Sequence, residues 1–274
     1  MIRVKIGKVE ISNSSPLILI LGPCVIENRV HTLKMAKLIN DICDKEKINY
    51  IFKASFDKAN RSSIDSNRGI KLNEALDIFS EIKSNFACPI LTDVHNENQC
   101  EIIAQSSSVD IIQIPAFLSR QTDLIIAASK TNKIINIKKG QFLSPNDMSN
   151  IIKKVESTKN NKILLTERGV SFGYNNLVTD FRSLEIMKRM NYPVIMDATH
   201  SVQEPGGLGK TSGGKREFVP ILAKAASAIG VAGIFIETHD DPDNAPSDGP
   251  NMLNISDLRN LIIKLKKFDE IAKL

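Results

Sequence analysis

The chain has 274 residues, with 36 Lys and Arg against 31 Asp and Glu, a formal net charge of +5. That mild, dispersed excess suits anionic small molecules and excludes a nucleic-acid-binding surface, for which basic residues would have to cluster. Cys24, Cys43, Cys88 and Cys100 form no CxxC pair, which fits a reducing cytoplasmic setting, and the longest apolar run, PLILILGPCVI, is too short for a membrane span of roughly 18 residues.

The N-terminus, MIRVKIGKVEIS, carries no signal-peptide pattern. It sets Val4 and Ile6, then Gly7-Lys8, then Val9 and Ile11, which predicts a short hairpin with a Gly-X turn; residues 1–15 lead into the main domain. From residue 16 short apolar runs alternate with longer amphipathic segments. Strands are predicted at LILILGPC (17–24), YIFKASF (50–56), PILTDV (89–94), DIIQIPA (110–116), IINIKKG (134–140), KILLTER (162–168), PVIMDAT (193–199) and GIFIETH (233–239). Helical patterns such as LNEALDIFSEIKSNF and REFVPILAKAASAIG lie between them. The last segment, ISDLRNLIIKLKKFDEIAKL, lines Ile255, Leu258, Leu261, Ile262, Leu265 and Phe268 along one helical face and sets solvated lysines on the other.

Eight βα units after a hairpin predict a single (β/α)8 TIM barrel spanning residues 1–274, a length at which about three quarters of the unfolded surface can be buried. A doubly wound open sheet is the alternative. Against it, no GxGxxG follows the first strand and no linker or composition shift divides the chain.

Active sites of such barrels sit at the C-terminal ends of the strands, so unusual polar residues should gather there. The predicted strand ends carry Cys24, Lys53 and Ser55, Asp93 and His95, Gln113, Asn136 and Lys138, Arg168, Asp197 and His200, and Glu237 with His239. Each has a bland reading alone: a solvated lysine, a satisfied structural histidine, an inert buried cysteine. Their recurrence on strand after strand favours function.

Two groups emerge. Lys53, Lys58, Arg61, Lys138 and Arg168 are cations converging on one rim. Their repulsion is offset when an anion binds, through charge-assisted hydrogen bonds of about 1.5–3 kcal/mol each, so the implied ligand carries several negative charges. The second group is a metal-ligand set. In a closed barrel the eighth strand pairs with the first, so Cys24, His200 and Glu237 come from three adjacent strands, and Asp248, in HDDPDNAPSDGP, can reach them. A thiolate, an imidazole and two carboxylates suit Zn, Fe or Mn better than Ca or Mg. His239, two residues beyond Glu237, is a rival ligand that spacing does not exclude.

LGPCVIEN, FKASFDKANRSS, TDVH, IQIPAFLSRQTDL, INIKKGQF, LTERGVSFGYNNLV, DATHSVQEPGG and IFIETHDDPDNAPSDGP together closely resemble the 3-deoxy-D-manno-octulosonate 8-phosphate synthases, in register from about residue 17 to 253. The resemblance implies a homotetrameric barrel that condenses phosphoenolpyruvate with arabinose 5-phosphate and water, releases inorganic phosphate and serves lipopolysaccharide synthesis. It assigns Lys53, Ser55, Lys58, Gln113, Lys138 and Arg168 to phosphoenolpyruvate, and Asn60, Arg61 and Ser62 to arabinose 5-phosphate. Arg120 is similar to a family arginine that reaches a neighbouring subunit's sugar phosphate. Asp93 and His95 are expected to handle protons or position water, beside Lys138, His200 and Cys24 in the catalytic group. Relatives that work without metal carry Asn where Cys24 stands, so Cys24 implies the metal-dependent type. The 3-deoxy-D-arabino-heptulosonate 7-phosphate synthases, which use erythrose 4-phosphate, are the alternative; they typically show KPRT where this chain has KANRSS.

Overall fold

The computed structural model describes residues 2–60, 68–207 and 213–274. Eight parallel strands form the barrel: β1 (Ile18–Gly22), β2 (Tyr50–Lys53), β3 (Ile90–Asp93), β4 (Ile111–Ile114), β5 (Ile134–Lys138), β6 (Ile163–Glu167), β7 (Val194–Asp197) and β8 (Gly233–His239). Each pairs with the next, and β8 closes the ring on β1, with Gly233 opposite Ile18 and Glu237 opposite Gly22. The helices α1 (Arg29–Glu46), α2 (Leu72–Phe86), α3 (Glu97–Ala104), α4 (Thr122–Lys130), α5 (Met148–Glu156), α6 (Arg182–Lys188), α7 (Val219–Ile229) and α8 (Ile255–Ala272) follow the strands in turn.

The strands read as nearly unbroken Ile, Leu and Val because both faces are covered, as in any parallel sheet wrapped by helices. Alternation sorts the two layers. Ile18, Ile20, Ile51, Leu91, Ile111 and Leu164 point into the barrel, whereas Leu19, Leu21, Phe52, Ile90 and Ile112 pack outward under the helices. Val4–Ile6 and Val9–Ile11 pair as the expected antiparallel hairpin. Its Val4, Ile6 and Ile11 join the inner layer, so the hairpin stoppers the N-terminal end of the barrel. Asn13 anchors it there: its side chain donates to the Tyr192 carbonyl and accepts from Val194 N, both at 2.8 Å.

The first two strands end earlier than their apolar runs. β1 stops at Gly22 because Pro23 has no N–H for the ladder, and β2 stops at Lys53. The chains stay together through a parallel bridge between Val25 and Ser55. Gly22 has a packing reason: a Cβ there would lie 1.7 Å from the Lys53 carbonyl oxygen. Phe268 leaves the expected apolar face of α8 and is 40% exposed. Asp269 takes the inward place, its carboxylate accepting from Leu17 N at 2.9 Å and pairing with Lys273 at 2.6 Å. Among the described residues no helix is long and apolar enough to cross a membrane.

Candidate active site

A cavity of about 320 Å³ opens at the C-terminal end of the barrel, lined by Lys53, Ser55, Lys58, Asn60, Asp93, His95, Gln113, Lys138, Arg168, His200, Glu237 and Asp248. Most of the rim expected from the strand ends therefore faces one cavity, whereas Cys24, Asn136, Asp197 and His239 do not line it. Arg61 and Ser62 lie outside the described residues. Arg120 is exposed beyond this cavity, with its carbonyl accepting from Lys154 at 3.0 Å.

The strand alternation that sends Phe52, Ala54 and Phe56 into the outer core turns Lys53 and Ser55 toward the cavity. Lys58 returns to the same spot and donates to Ser55 Oγ at 3.0 Å. Burial opposes its charge, but nearby Cys24, Glu237, Asp93 and Asp248 more than offset that and hold its ammonium protonated well above the usual range. Arg168 Nη2 donates to Gln203 Oε1 at 2.9 Å, while its Nη1 is buried and has no hydrogen-bond partner among the described residues. A buried guanidinium N–H left unpaired is costly, and an anionic oxygen in the cavity would satisfy it. Gln113 is steadied from below: its Oε1 accepts from Asn136 at 3.1 Å, and Asn136 in turn accepts from Thr166 at 2.6 Å. Asn136 belongs to this relay and does not line the cavity.

Lys138 reaches Asp197, lies 3.3 Å from His200 Nδ1 and sits 3.7 Å above the centre of the Phe235 ring. Burial pulls its ammonium below the usual lysine range, although Asp197 and Glu237 oppose that. Asp197 also meets His200, with its Oδ1 accepting from the backbone N at 2.8 Å and Oδ2 lying 2.7 Å from Nδ1. An Nδ1–H donated to this carboxylate leaves the lone pair on Nε2, the tautomer a metal requires. Nε2 lies 3.6 Å from Glu237 Oε2 and 3.9 Å from Asp248 Oδ2.

Those carboxylates and Cys24 form the second group. Ligand atoms of Cys24, Glu237 and Asp248 all lie within 4.8 Å of one another. The Cys24 thiol is 3.1 Å from Ser247 Oγ and 3.2 Å from Asp248 Oδ2. Burial, then Asp248 and Glu237, push that thiol far up. Glu237 is wholly buried; burial raises its carboxyl, but Lys53, His200, Lys58 and Lys138 bring it down to about 2. Lys53 donates to Glu237 Oε1 at 2.5 Å and to the Cys24 carbonyl at 3.0 Å, so it braces this group as well as lining the cavity. Glu237 Oε2 has no hydrogen-bond partner among the described residues. An orphaned carboxylate oxygen and a thiol in one cluster, with the bare His200 nitrogen facing its two carboxylates from 3.6 and 3.9 Å, fit a divalent transition metal.

His239 does not join them. Glu237 is the last β8 residue paired with β1, and the strand then pairs Thr238 and His239 with Leu253 and Asn254. That change of partner takes the imidazole to Glu27 instead, at 2.7 Å. Asp93 and His95 do meet, with Oδ2 and Nε2 3.1 Å apart; Asp93 Oδ1 and His95 Nδ1 have no hydrogen-bond partner among the described residues. Burial raises the Asp93 carboxyl, but His95, Lys58 and Lys53 together hold it well below the usual range.

Gln203, Gln141 and Ser247 also line the cavity and were not expected. Gln203 matters most, because its Nε2 donates to Asp248 Oδ1 at 3.1 Å while its Oε1 holds Arg168, tying the cationic group to the carboxylate group. It follows a 3-10 turn after β7 and opens a strand of two residues, Gln203–Glu204, too short for alternation to mark it.

A profile of the DAHP synthetase I family matches residues 1–274. A 2-dehydro-3-deoxyphosphooctonate aldolase of Bartonella tribocorum is 58% identical over 271 residues, covering 99% of this chain and 97% of its own. Proteins of the same description from Bartonella henselae, 57% identical over 98% of this chain and 96% of theirs, and from Brucella anthropi, 56% identical over 98% and 97%, are similar to the same extent.

Proposed function

The chain belongs to the DAHP synthetase I family, and from that premise we propose that it is a 3-deoxy-D-manno-octulosonate 8-phosphate synthase. It condenses phosphoenolpyruvate with D-arabinose 5-phosphate and water, gives the eight-carbon sugar acid phosphate and inorganic phosphate, and supplies lipopolysaccharide synthesis. The observation that carries the reading is the buried, unpaired Arg168 Nη1 in a cavity shared with Lys58 and Lys138. Full-length relatives at 56–58% identity, described as 2-dehydro-3-deoxyphosphooctonate aldolases, point the same way.

Phosphoenolpyruvate is assigned to Lys53, Ser55, Lys58, Gln113, Lys138 and Arg168. Asn60 at the mouth, with Arg61 and Ser62, takes the sugar phosphate. Carbon 3 of phosphoenolpyruvate is a weak nucleophile, so holding it against the aldehyde supplies much of the rate. Its new bond to the aldehyde carbon leaves carbon 2 electron-poor, and water adds there. The tetrahedral adduct then loses phosphate by carbon–oxygen cleavage, with Lys58, Lys138 and Arg168 stabilising the charge gathering on the leaving group. Asp93 and His95, paired at 3.1 Å, position the water and carry its proton. Cys24, His200, Glu237 and Asp248 would hold a divalent Zn, Fe or Mn ion. When bound, such an ion supplies a Lewis acid beside the cavity. The working form is proposed as a cytoplasmic homotetramer in which Arg120 reaches a neighbour's sugar phosphate.

Phosphate release measured with phosphoenolpyruvate and either arabinose 5-phosphate or erythrose 4-phosphate tests the assignment. Release with the pentose phosphate is expected. Release with erythrose 4-phosphate alone would make the chain a 3-deoxy-D-arabino-heptulosonate 7-phosphate synthase and overturn it.

A further inference from the structure

Outside the cavity, four side chains meet that the proposed reaction does not use. Glu27 stands three residues past Cys24, His31 lies in the first turn of α1, His239 ends β8 and Asp240 follows it. Asn28 caps α1, its side chain accepting from His31 N at 2.9 Å, and so sets where that first turn presents the imidazole. His239 is 5% exposed, and its ring lies 4.6 Å from the ring of His31, centre to centre. His239 Nε2 is 2.7 Å and His31 Nδ1 3.8 Å from the same oxygen, Glu27 Oε1.

The tautomers can be worked out from the partners. Asp240 Oδ1 lies 2.9 Å from His31 Nε2, so that nitrogen carries the proton and Nδ1 is left with a bare lone pair. Nδ1 is buried and has no hydrogen-bond partner among the described residues. It faces an anionic oxygen, two acceptors with no proton between them, and a cation placed there would satisfy both. Asp240 is well suited to stand behind it. Its Oδ2 accepts from Lys34 Nζ at 2.6 Å.

We propose that Glu27, His31 and His239 form a second site for a divalent transition cation such as Zn2+, separate from the Cys24 group. The ligand atoms of the three residues all lie within 4.8 Å of one another. Tetrahedral zinc with bonds of about 2.0–2.1 Å places its ligand atoms about 3.4 Å apart, between the 2.7 and 3.8 Å found here, so small side-chain shifts suffice. On loading, the Nε2 proton of His239 is replaced by the metal. It moves to Nδ1, where Asp240 Oδ1 waits at 3.3 Å; the hydrogen bond that Nδ1 now accepts from Asp241 N is given up. Asp240 thus becomes the outer carboxylate of both histidines, the usual partner of zinc-bound imidazole. Glu27, with its side chain 25% exposed, opens the fourth position to water. An ion held here staples the end of β8 to the start of α1, two residues past Glu237 on β8 and three past Cys24 at Glu27. The site does not depend on the substrates assigned above.

The test uses untagged, chelator-stripped protein dialysed against Zn2+, with bound metal counted by elemental analysis. Cys24→Ala should retain one tightly bound Zn2+ per chain. Adding His31→Ala to that variant should weaken this binding at least about 10-fold, and adding Asp240→Asn about 10- to 100-fold. His31→Gln is the control for folding, since it keeps the side-chain bulk and should lose the ion as well. No Zn2+ retained by Cys24→Ala, or equal affinity with and without His31, overturns the site.

Discussion

Arg168 shows how a single side chain carries more information in space than in sequence. As a charge at a strand end it is one of several cations; as a buried guanidinium with one N–H unsatisfied it specifies an anion at a definite place. Arg168→Ala is therefore expected to lower turnover at least 10²-fold, the scale of losing a preorganised charge-stabilising donor, with the far-ultraviolet circular dichroism unchanged. Near-normal kcat/KM would remove it from the phosphate site. Cys24 carries the second prediction at this scale. Chelation should abolish activity, a divalent transition metal should restore it, and Cys24→Ala should recover nothing on adding metal. Full activity with metal confirmed absent would make Cys24 a bystander. The convergence of Cys24, Glu237 and Asp248 was legible because barrel closure forces β8 beside β1. The departure of His239 was not, because the same-face rule for residues two apart holds only while the strand keeps its partner, and β8 changes partner after Glu237. Gln203 was hidden for a related reason: a strand of two residues is too short to show a period.

At the scale of elements, the N-terminal hairpin and the catalytic rim sit at opposite ends of the barrel and divide stability from chemistry. Ile11 is fully buried in the inner layer with Ile18, Ile51 and Leu91. Ile11→Ala should cost about 2–5 kcal/mol, read as a lower urea midpoint at an unchanged slope, while kcat at 25 °C stays within about twofold of the parent. A large loss of kcat in a fully folded variant would show that the two ends are coupled. The eight strands and the hairpin were legible because continuous apolar runs and one Gly-X turn are strong local signals. The boundaries of β1 and β2 were less so. Pro23 and the close approach at Gly22 end the ladder while the apolar run continues. Phe268 shows the same limit on a helix, where the buried hydrogen bond and ion pair of Asp269 decide which residue faces inward.

Taken as a whole, the molecule presents its chemistry at one end, with Arg120 exposed beyond the cavity and Phe117 exposed on its rim. If Arg120 completes a neighbour's sugar-phosphate site, Arg120→Ala should raise KM for arabinose 5-phosphate well above that for phosphoenolpyruvate, and light scattering should find the active species to be a tetramer. An active monomer would sink that assignment. The other end bears on time rather than on shape. With the hairpin closing the floor, the cavity formed by the described residues opens at the opposite end of the barrel, and the buried cations Lys138 and Arg168 lie further in than exposed Asn60. An opening at that end imposes a queue. The occupant of the inner cations must enter first, and the sugar phosphate, arriving second, shuts it in. Initial-rate kinetics should accordingly follow a compulsory order with phosphoenolpyruvate leading, and saturating arabinose 5-phosphate given beforehand should slow the first turnover.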